Sequence, residues 1–209
     1  MYINSICYDY FVRAALRNFI AFVLSRSNND KLLSKSLSWL LRHGAVQEGF
    51  LVSKYTLPDI ERVVKNNDKQ RFKLRLNPNT NVLEIKANQG HTIIEVSNAG
   101  LIPILEVYYT VFVHGTFLKC WPQIKTQGLS RMRRQHIHFA KGVIGDKTVI
   151  SGLRRNCQIY IYIDLCKALS EGLKFYESEN GVVLTSGDGK GYLAPKYFSK
   201  VVTVAGMLF

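Results

Sequence analysis

The chain has 209 residues, of which 47% are hydrophobic and 21% are charged. This length suffices for one ordinary domain or two small lobes with a buried core. The hydrophobic content excludes a chain that is disordered throughout. The formal net charge of +13 favours an anionic partner such as nucleic acid, a membrane surface or a phosphorylated cofactor. A generally basic surface without a specific ligand is the alternative that charge alone leaves open.

The four cysteines form neither C-x-x-C pairs nor zinc-finger spacings, so we expect no metal and a reducing intracellular location, cytoplasmic or nuclear. Residues 1–30 are rich in arginine and are interpreted as a separate N-terminal extension. They are either an organellar targeting peptide or a variable segment. The apolar run at 19–24 is too short to span a bilayer, and we expect no contact with a membrane.

Residues 31–43 predict an amphipathic helix, with Asp30 as its N-cap. The leucines at positions 33, 37, 40 and 41 recur at helical spacing and predict the buried face. Arg42 and His43 fall in the last turn, where the helix dipole favours positive charge. That position alone explains both residues without any function.

A second helix is expected within 53–66, with Pro58 near its first turn. Residues 71–76 and 82–86 alternate as strands around a turn at 77–81. Two helices and a hairpin predict a winged-helix-like lobe over 31–96. Arg71, Lys73 and Arg75 share one predicted strand face, which is either a solvated face or a set of contacts to a phosphate backbone.

Residues 97–106 are predicted to be a linker, and 107–204 a second lobe of mixed strands and helices. The order of elements disfavours a Rossmann sheet and predicts an α+β protein. Strands are expected at 107–113, 158–163 and 182–185, helices at 118–126 and 164–171, a hairpin turn at 186–191, and the end of the sheet at 192–198.

Four segments concentrate groups that bind phosphate or a nucleotide, and none of them contains an acidic residue. They are LLRH at 40–43, HGT at 114–116, GLSRMRRQHIH at 128–138 and SGLR at 151–154. Such a site suits a substrate that brings its own negative charge, and points to chemistry in which a phosphate is the nucleophile. His136 and His138 should share one face of a strand. The pair contacts a nucleotide or phosphate, or one of the two is a hydrogen-bonded histidine of the core.

These motifs together resemble the RNA 2′-phosphotransferases of the KptA type. The similarity extends over residues 31–200 in the order of the family. The matching segments are LSKSLSWLLRHGA at 33–45, KQRFKL at 69–74, ANQGHT at 87–92, HGTF at 114–117, GLSRMRRQHIHFA at 128–140, SGLRRNC at 151–157 and the stretch 161–198.

The resemblance implies a winged-helix-like N-terminal lobe and a C-terminal lobe similar to ADP-ribosyltransferases, which binds NAD⁺. It also implies the reaction. The internal 2′-phosphate left at a tRNA splice junction attacks the ribose C1″ of NAD⁺ and expels nicotinamide, and the ribose O2″ then attacks that phosphate. The products are RNA with a 2′-hydroxyl and ADP-ribose 1″,2″-cyclic phosphate. The expected partners are NAD⁺ and tRNA, or another RNA with an internal 2′-phosphate, bound by a monomer.

By the same resemblance, Arg42 and Arg154 bind the transferred phosphate, and His43 donates a hydrogen bond or moves a proton in the second step. The position of a third family arginine is Lys86 here. Lysine keeps the charge but loses the planar two-pronged donor, which could cost roughly 2–4 kcal/mol of transition-state stabilisation. The segment 44–57 is shorter than in the family, which affects how RNA would dock.

The remaining site residues also follow from the resemblance. The NAD⁺ contacts expected are His114, Gly115, Thr116, Gly128, Arg134, His136, Ser151 and Asn180. The RNA contacts expected are Arg71, Lys73, Arg75, Gln89 and His91. A turn between strands explains Asn180 equally well, and turn formation likewise explains residues 88–91.

Three functions therefore stand as hypotheses. The first is an active NAD⁺-dependent RNA 2′-phosphotransferase. The second, motivated by Lys86, is an ADP-ribosyltransferase acting on phosphorylated nucleic-acid ends that stops after the first step. The third is a basic RNA-binding protein without catalysis.

Overall fold

A computed structural model describes residues 30–43, 56–79, 81, 83–93, 98, 100–108, 111–147 and 149–209. The chain divides into two compact units, one ending at Ser97 and the other beginning at Asn98. The predicted extension lies outside the described residues except for Asp30, and so does most of the shortened segment 44–57. No helix in the described part of the chain is long and apolar enough to cross a membrane.

Two helices build one side of the first unit. Helix α1 spans Asp30–His43 and buries the four leucines that its sequence predicts. Asp30 lies inside the helix rather than capping it, and its carboxylate accepts hydrogen bonds from Arg62 Nε and Nη2 at 3.1 and 2.8 Å. Helix α2 spans Leu57–Lys65 with Pro58 in its first turn, as predicted.

An antiparallel hairpin builds the other side. Strand β1 spans Phe72–Leu76 and strand β2 spans Leu83–Ala87. One face of the hairpin packs on the helices, because Phe72, Ile85 and Ala87 are buried in the same cluster as the α1 leucines. The predicted elements of this lobe are confirmed. Their assignment to a winged helix stays a prediction.

Antiparallel pairing organises the second unit. Strand β7 (Ile159–Ile163) lies between β4 (Val113–Thr116) and β11 (Phe198–Thr203). The shorter strands are Ile102–Pro103 for β3, Leu129–Ser130 for β5, Ile137–Phe139 for β6, Phe175–Glu177 for β8, Val183–Thr185 for β9 and Tyr192–Leu193 for β10. A second sheet has the order β3-β8-β9-β6, and β5 pairs with β10.

Short helices connect these strands. A 3₁₀ turn at Leu118–Cys120 leads into α3 at Trp121–Gln127, and α4 spans Leu165–Ser170. A further 3₁₀ turn at Pro195–Tyr197 precedes β11. Every described strand pair is antiparallel, so the expectation that this is not a Rossmann sheet is confirmed. The structure is a mixture of small antiparallel sheets with few helices.

Several element predictions in this unit were wrong. The strand expected at 107–113 is instead β4, which starts at Val113, and Ile102–Pro103 within the predicted linker forms β3. Residues 186–191 do form a turn, closed by the Asp188 amide donating to the Tyr192 carbonyl at 2.8 Å. It is not a hairpin, because β9 and β10 on either side of it belong to different sheets. The sheet also continues past 198 as β11. Local turn chemistry predicts a chain reversal but not the strand that pairs next.

Gly115 in the middle of β4 has a packing role. A Cβ atom there would lie 2.9 Å from both Cys157 Sγ and Leu153 Cδ2. Both neighbours are buried in a cluster that includes Val113 and Ala140. The absence of a side chain at 115 therefore lets the segment around 153–157 pack directly on the strand.

We predict that Gly115→Ala destabilises the protein by about 1–3 kcal/mol, the usual cost of overpacking a core. Gly189→Ala is the matched control, because a Cβ there would meet nothing within 4 Å. Thermal unfolding of the two variants checks this. An equal Tm for both would contradict the packing role.

Candidate functional site

The C-terminal turn of α1 is fastened to the loop that follows β2. The backbone amide of Thr92 donates to the carbonyl of Arg42 at 3.0 Å. The Thr92 hydroxyl lies 2.9 Å from His43 Nδ1 and 3.4 Å from the Arg42 carbonyl oxygen. Because the last carbonyls of a helix have no partner inside it, this loop supplies one from outside. Arg42 and His43 are thereby held in place by residues about fifty positions later.

Gly90 sets the position of the Arg42 side chain. Its φ of +89° is strained for a residue with a Cβ, and a Cβ there would lie 3.4 Å from Arg42 Nε and 3.6 Å from Cδ and Cζ. The arginine side chain therefore lies along the bare backbone of Gly90. The glycine thus leaves room for the arginine side chain where a larger residue would press on it.

Asn88 and Gln89 in the same loop are buried. The Asn88 amide donates to the Arg71 carbonyl at 2.9 Å, and its Nδ2 donates to the Gln70 carbonyl at 2.7 Å. These bonds anchor the loop to the start of β1. Sequence reasoning had assigned Gln89 to RNA contact and had not assigned Asn88 or Thr92 any role, although both stand in the ANQGHT motif.

Trp39 is a second neighbour of His43 that sequence reasoning missed. The two rings lie on the same face of α1, one helical turn apart, with centroids separated by 4.4 Å and planes tilted by 53°. The Trp39 side chain is still 36% exposed. The spacing of four residues in the sequence was the signal that could have found this contact.

The outward face of the β1–β2 hairpin carries the other predicted cations of the first unit. Lys73 stands directly opposite Lys86, and Arg75 stands opposite Glu84, with Arg75 Nε 2.8 Å from Glu84 Oε2. Arg71 precedes the strand, and its Nη1 lies 3.7 Å from Asp68 Oδ1. The face is therefore not a uniform row of cations. The assignment of Arg71, Lys73 and Arg75 to RNA contact stays a prediction.

His114 on β4 has a defined tautomer. Its Nδ1 lies 2.9 Å from the backbone oxygen of His138, and because a carbonyl only accepts, Nδ1 carries the proton. Burial lowers the pKa of His114, and the positive charge of Arg154 lowers it further. The ring is therefore neutral near pH 7, with Nε2 as an acceptor suited to a ribose hydroxyl.

Arg154 brings positive charge to the same region. Its guanidinium lies 5.8 Å from the ring centroid of Phe117, a residue that sequence reasoning did not select. Arg134 is exposed to solvent, and its pKa is lowered by partial desolvation of the guanidinium and by the charge of Arg154. Arg154 therefore lies close enough to both His114 and Arg134 to affect their pKa values, and the two arginines supply positive charge suited to the phosphates of a nucleotide.

A turn at residues 131–135 carries Arg134. Met132 within it has φ of +54° and is strongly exposed. The Arg134 amide closes the turn by donating to the Arg131 carbonyl at 3.1 Å, and Arg131 Nη1 donates to the Arg134 carbonyl at 3.3 Å. The Arg131 amide ties the turn to the segment before β10 by donating to the Gly191 carbonyl at 3.0 Å. Arg131 was not among the predicted site residues.

His136 is a buried histidine that lies just before β6. Its Nε2 is 2.9 Å from Asn98 Oδ1, and its ring meets that of Tyr176 edge to face at 6.2 Å. Burial lowers the pKa of His136 to about 4, and the charge of Arg131 contributes. These contacts agree with the alternative of a hydrogen-bonded core histidine.

The other expected NAD⁺ contacts also have structural roles. Gly128 ends α3 with φ of +91°, and a Cβ there would lie 2.3 Å from the Leu193 carbonyl oxygen. Asn180 is buried in the turn between β8 and β9, where its Oδ1 accepts from Ser178 Oγ at 2.8 Å. Thr116 and Ser151 are buried. Their assignment to NAD⁺ stays a prediction. Among the described residues no group of three or more His, Cys, Asp or Glu could hold a metal ion.

Comparison with known proteins identifies the class. The model of the RNA 2′-phosphotransferase family, Tpt1/KptA, matches residues 50–187. The chain belongs to this family, and thus to a class of transferases, which confirms the resemblance read from the sequence.

Named relatives agree with this assignment. The chain is 45% identical to tRNA 2′-phosphotransferase 1 of Danio rerio, over 84% of this chain and 87% of the relative. It is 40% identical to tRNA 2′-phosphotransferase 1 of Homo sapiens, over 84% and 76%. It is 37% identical to tRNA 2′-phosphotransferase of Saccharomyces cerevisiae, over 78% and 82%.

The burial of His136 predicts a loss of stability in acid. The pKa of His136 is lowered in the folded protein, whereas the unfolded chain takes up the proton near the ordinary value of 6.5. The contribution of the neutral His136 to the free energy of unfolding is therefore fully present above pH 6.5 and is lost as the pH falls towards 4. We expect the Tm of His136→Gln to fall less than that of the wild type between pH 7 and pH 5. Equal decreases would contradict this.

Proposed function

We propose that this protein is an NAD⁺-dependent RNA 2′-phosphotransferase that acts on the internal 2′-phosphate of spliced tRNA. The phosphate is transferred to NAD⁺, with release of nicotinamide, RNA with a 2′-hydroxyl and ADP-ribose 1″,2″-cyclic phosphate. Family membership supports phosphate removal from RNA. The observation that carries the proposal is the pair Arg42 and His43, fixed by Gly90 and Thr92 at the end of α1.

The residues of the first unit suit an anionic nucleophile. The 2′-phosphate is already charged, so the first step needs orientation and not a strong base. Arg42 offers a two-pronged donor that matches a phosphate group, and His43 stands beside it as the group that can donate a hydrogen bond or move a proton in the second step. Lys86 adds charge on the hairpin that leads into the loop.

The residues of the second unit suit NAD⁺ as co-substrate. The neutral His114 presents Nε2 to accept from a ribose hydroxyl, while Arg134 and Arg154 supply positive charge for the pyrophosphate. We assign this unit to the ADP-ribosyltransferase-like fold and the first unit to the winged-helix fold. Antiparallel sheets in the second unit, and the order of helix, helix and hairpin in the first, support these assignments.

Lys86 favours a second candidate. A lysine at this position offers one point charge where an arginine would offer a planar pair of donors. The second step concentrates more negative charge on phosphorus than the first, so it is the step that this difference affects more. The alternative is an ADP-ribosyltransferase that stops with the RNA phosphate joined to ADP-ribose.

A time course distinguishes the two candidates. The substrate is a short RNA with one labelled internal 2′-phosphate, incubated with and without NAD⁺. We expect conversion to 2′-hydroxyl RNA only when NAD⁺ is present. Phosphate loss without NAD⁺ would overturn the proposal. ADP-ribosylated RNA that persists in the wild type and disappears in Lys86→Arg would establish the second candidate.

The hydroxyl of Thr92 predicts a positioning effect on His43. Thr92→Val keeps the shape and the backbone bond to Arg42 but removes the partner of His43 Nδ1, and the loss of one hydrogen bond predicts about a tenfold lower kcat. Thr92→Ser keeps the hydroxyl and serves as the control, with kcat near that of the wild type. Equal rates for the two variants, measured at saturating NAD⁺ and RNA, would show that this bond does not position His43.

A further inference from the structure

The turn at residues 131–135 holds a conformation that its own sequence does not favour. Met132 has φ of +54°, in the left-handed region that residues with a Cβ rarely adopt, and its side chain is 80% exposed. Such a conformation persists where surrounding contacts impose it. The Met132 amide donates to Ser130 Oγ at 3.0 Å, and the Arg134 amide donates to the Arg131 carbonyl at 3.1 Å. Both bonds tighten the chain where it presents Arg134 to solvent.

The side chain of Arg131 holds the far end of the same turn. Its Nη1 donates to the Arg134 carbonyl at 3.3 Å, so one guanidinium spans the turn from its first residue to its fourth. Burial is the main cause of the lowered pKa of His136, and the charge of Arg131 is the second. The guanidinium therefore also lies close to the residue that follows the turn.

Gly191 provides the surface on which Arg131 lies. It has φ of +82°, and a Cβ there would lie 2.9 Å from Arg131 Cγ and 3.0 Å from Cδ, and closer still to Nε. The arginine stem therefore occupies space that any other residue at 191 would fill. The Arg131 amide also donates to the Gly191 carbonyl at 3.0 Å. Arg131 is thus held on Gly191 by its main chain and by its side chain.

The turn at 186–191 keeps Gly191 in this position. Asp188 Oδ1 accepts from the Tyr192 amide at 2.9 Å, and the Gly191 amide donates to the Asp188 carbonyl at 2.9 Å. Pairing of β5 with β10 then brings this turn beside the one that carries Arg134. The glycine-rich segment therefore has a direct structural connection to Arg134, through the side chain of Arg131.

We propose that Arg131 is a positioning residue for NAD⁺. Held on Gly191, it fixes the turn that carries Arg134, the residue expected at the pyrophosphate, and it acts through Arg134 without touching the ligand. Order imposed before binding is order that binding need not create, so it increases affinity. The pyrophosphate keeps its charge while nicotinamide leaves, so the effect falls on the binding of NAD⁺ and not on the chemical step. The inference rests on the proposed function for its ligand.

Calorimetric titration with NAD⁺ and steady-state kinetics test the role of Arg131. For Arg131→Gln we expect the Kd and the KM for NAD⁺ to rise about tenfold, the effect of losing one hydrogen bond to a charged donor, with kcat near that of the wild type. A general loss of stability would instead lower the Tm and the active fraction, and would leave KM unchanged. An unchanged KM for NAD⁺ would overturn the proposal.

Gly191→Ala tests the same contact from the other side. The added Cβ displaces the Arg131 side chain, so the KM for NAD⁺ should rise as it does in Arg131→Gln. Gly172→Ala is the matched control, because its φ of +86° imposes similar backbone strain while a Cβ there meets nothing within 4 Å. Its KM should equal that of the wild type. The same KM for both alanine variants would count against the contact, and if Gly191→Ala does not fold, Arg131→Gln decides.

A double-mutant cycle shows whether Arg131 acts through Arg134. Arg134→Ala removes the side chain that the turn positions, so in that background Arg131→Gln should change the Kd for NAD⁺ little. A tenfold effect that persists in Arg134→Ala would show that Arg131 attracts the ligand by its own charge, and the positioning role would be rejected.

Calorimetry without RNA separates this inference from the proposed function. NAD⁺ binding that weakens in Arg131→Gln, with no phosphate transfer by the wild type, would support the inference and reject the enzyme. Phosphate transfer by both proteins with the same KM for NAD⁺ would reject the inference and leave the enzyme in place. A wild type that binds no NAD⁺ would reject both.

Discussion

The bond between the Thr92 amide and the Arg42 carbonyl organises the first unit around its candidate site. It joins the end of α1 to the loop that leaves β2, across fifty residues of sequence. The same loop supplies Gly90, whose bare backbone accommodates the Arg42 side chain, and the hydroxyl beside His43. Long polar side chains at a helix end are ordinarily mobile. Here a backbone contact, a glycine and a hydroxyl fix them together.

The second unit uses a different means to place its charged groups. Strand β7 pairs on both sides, and β4 carries His114 along one of its edges. The hydrogen bond from His114 to the backbone of His138 joins β4 to β6 of the other sheet. Arg154 reaches the same region from the segment packed on Gly115. His114 and Arg154 are therefore placed by sheet pairing and by the close packing that a glycine permits.

The sequence predicted much of this, and its failures have physical causes. Helix α1 was predictable because four leucines at helical spacing must face a core. Family motifs predict Arg42, His43 and Arg154 as site residues, and that assignment stays a prediction. The strand predicted at 107–113 lies instead at Val113–Thr116. The pattern of apolar residues alone could not place it, because its position is set by pairing with β7, which lies far away in the sequence. Thr92, Phe117 and Arg131 were missed because their roles come from contacts between distant segments. His136 and Asn180 show that a polar residue in a family motif can have a structural bond of its own.

The close contact beneath Gly115 also gives the protein an internal chemical reporter. Cys157 forms no disulfide and is buried where residue 115 has no side chain, while Cys120 is only half-buried and Cys166 is exposed. A thiol reagent can reach the Cys157 sulfur only when β4 separates from the segment packed on it. The labelling rate of this one cysteine therefore measures how often the His114 strand opens locally, independently of any assay of activity.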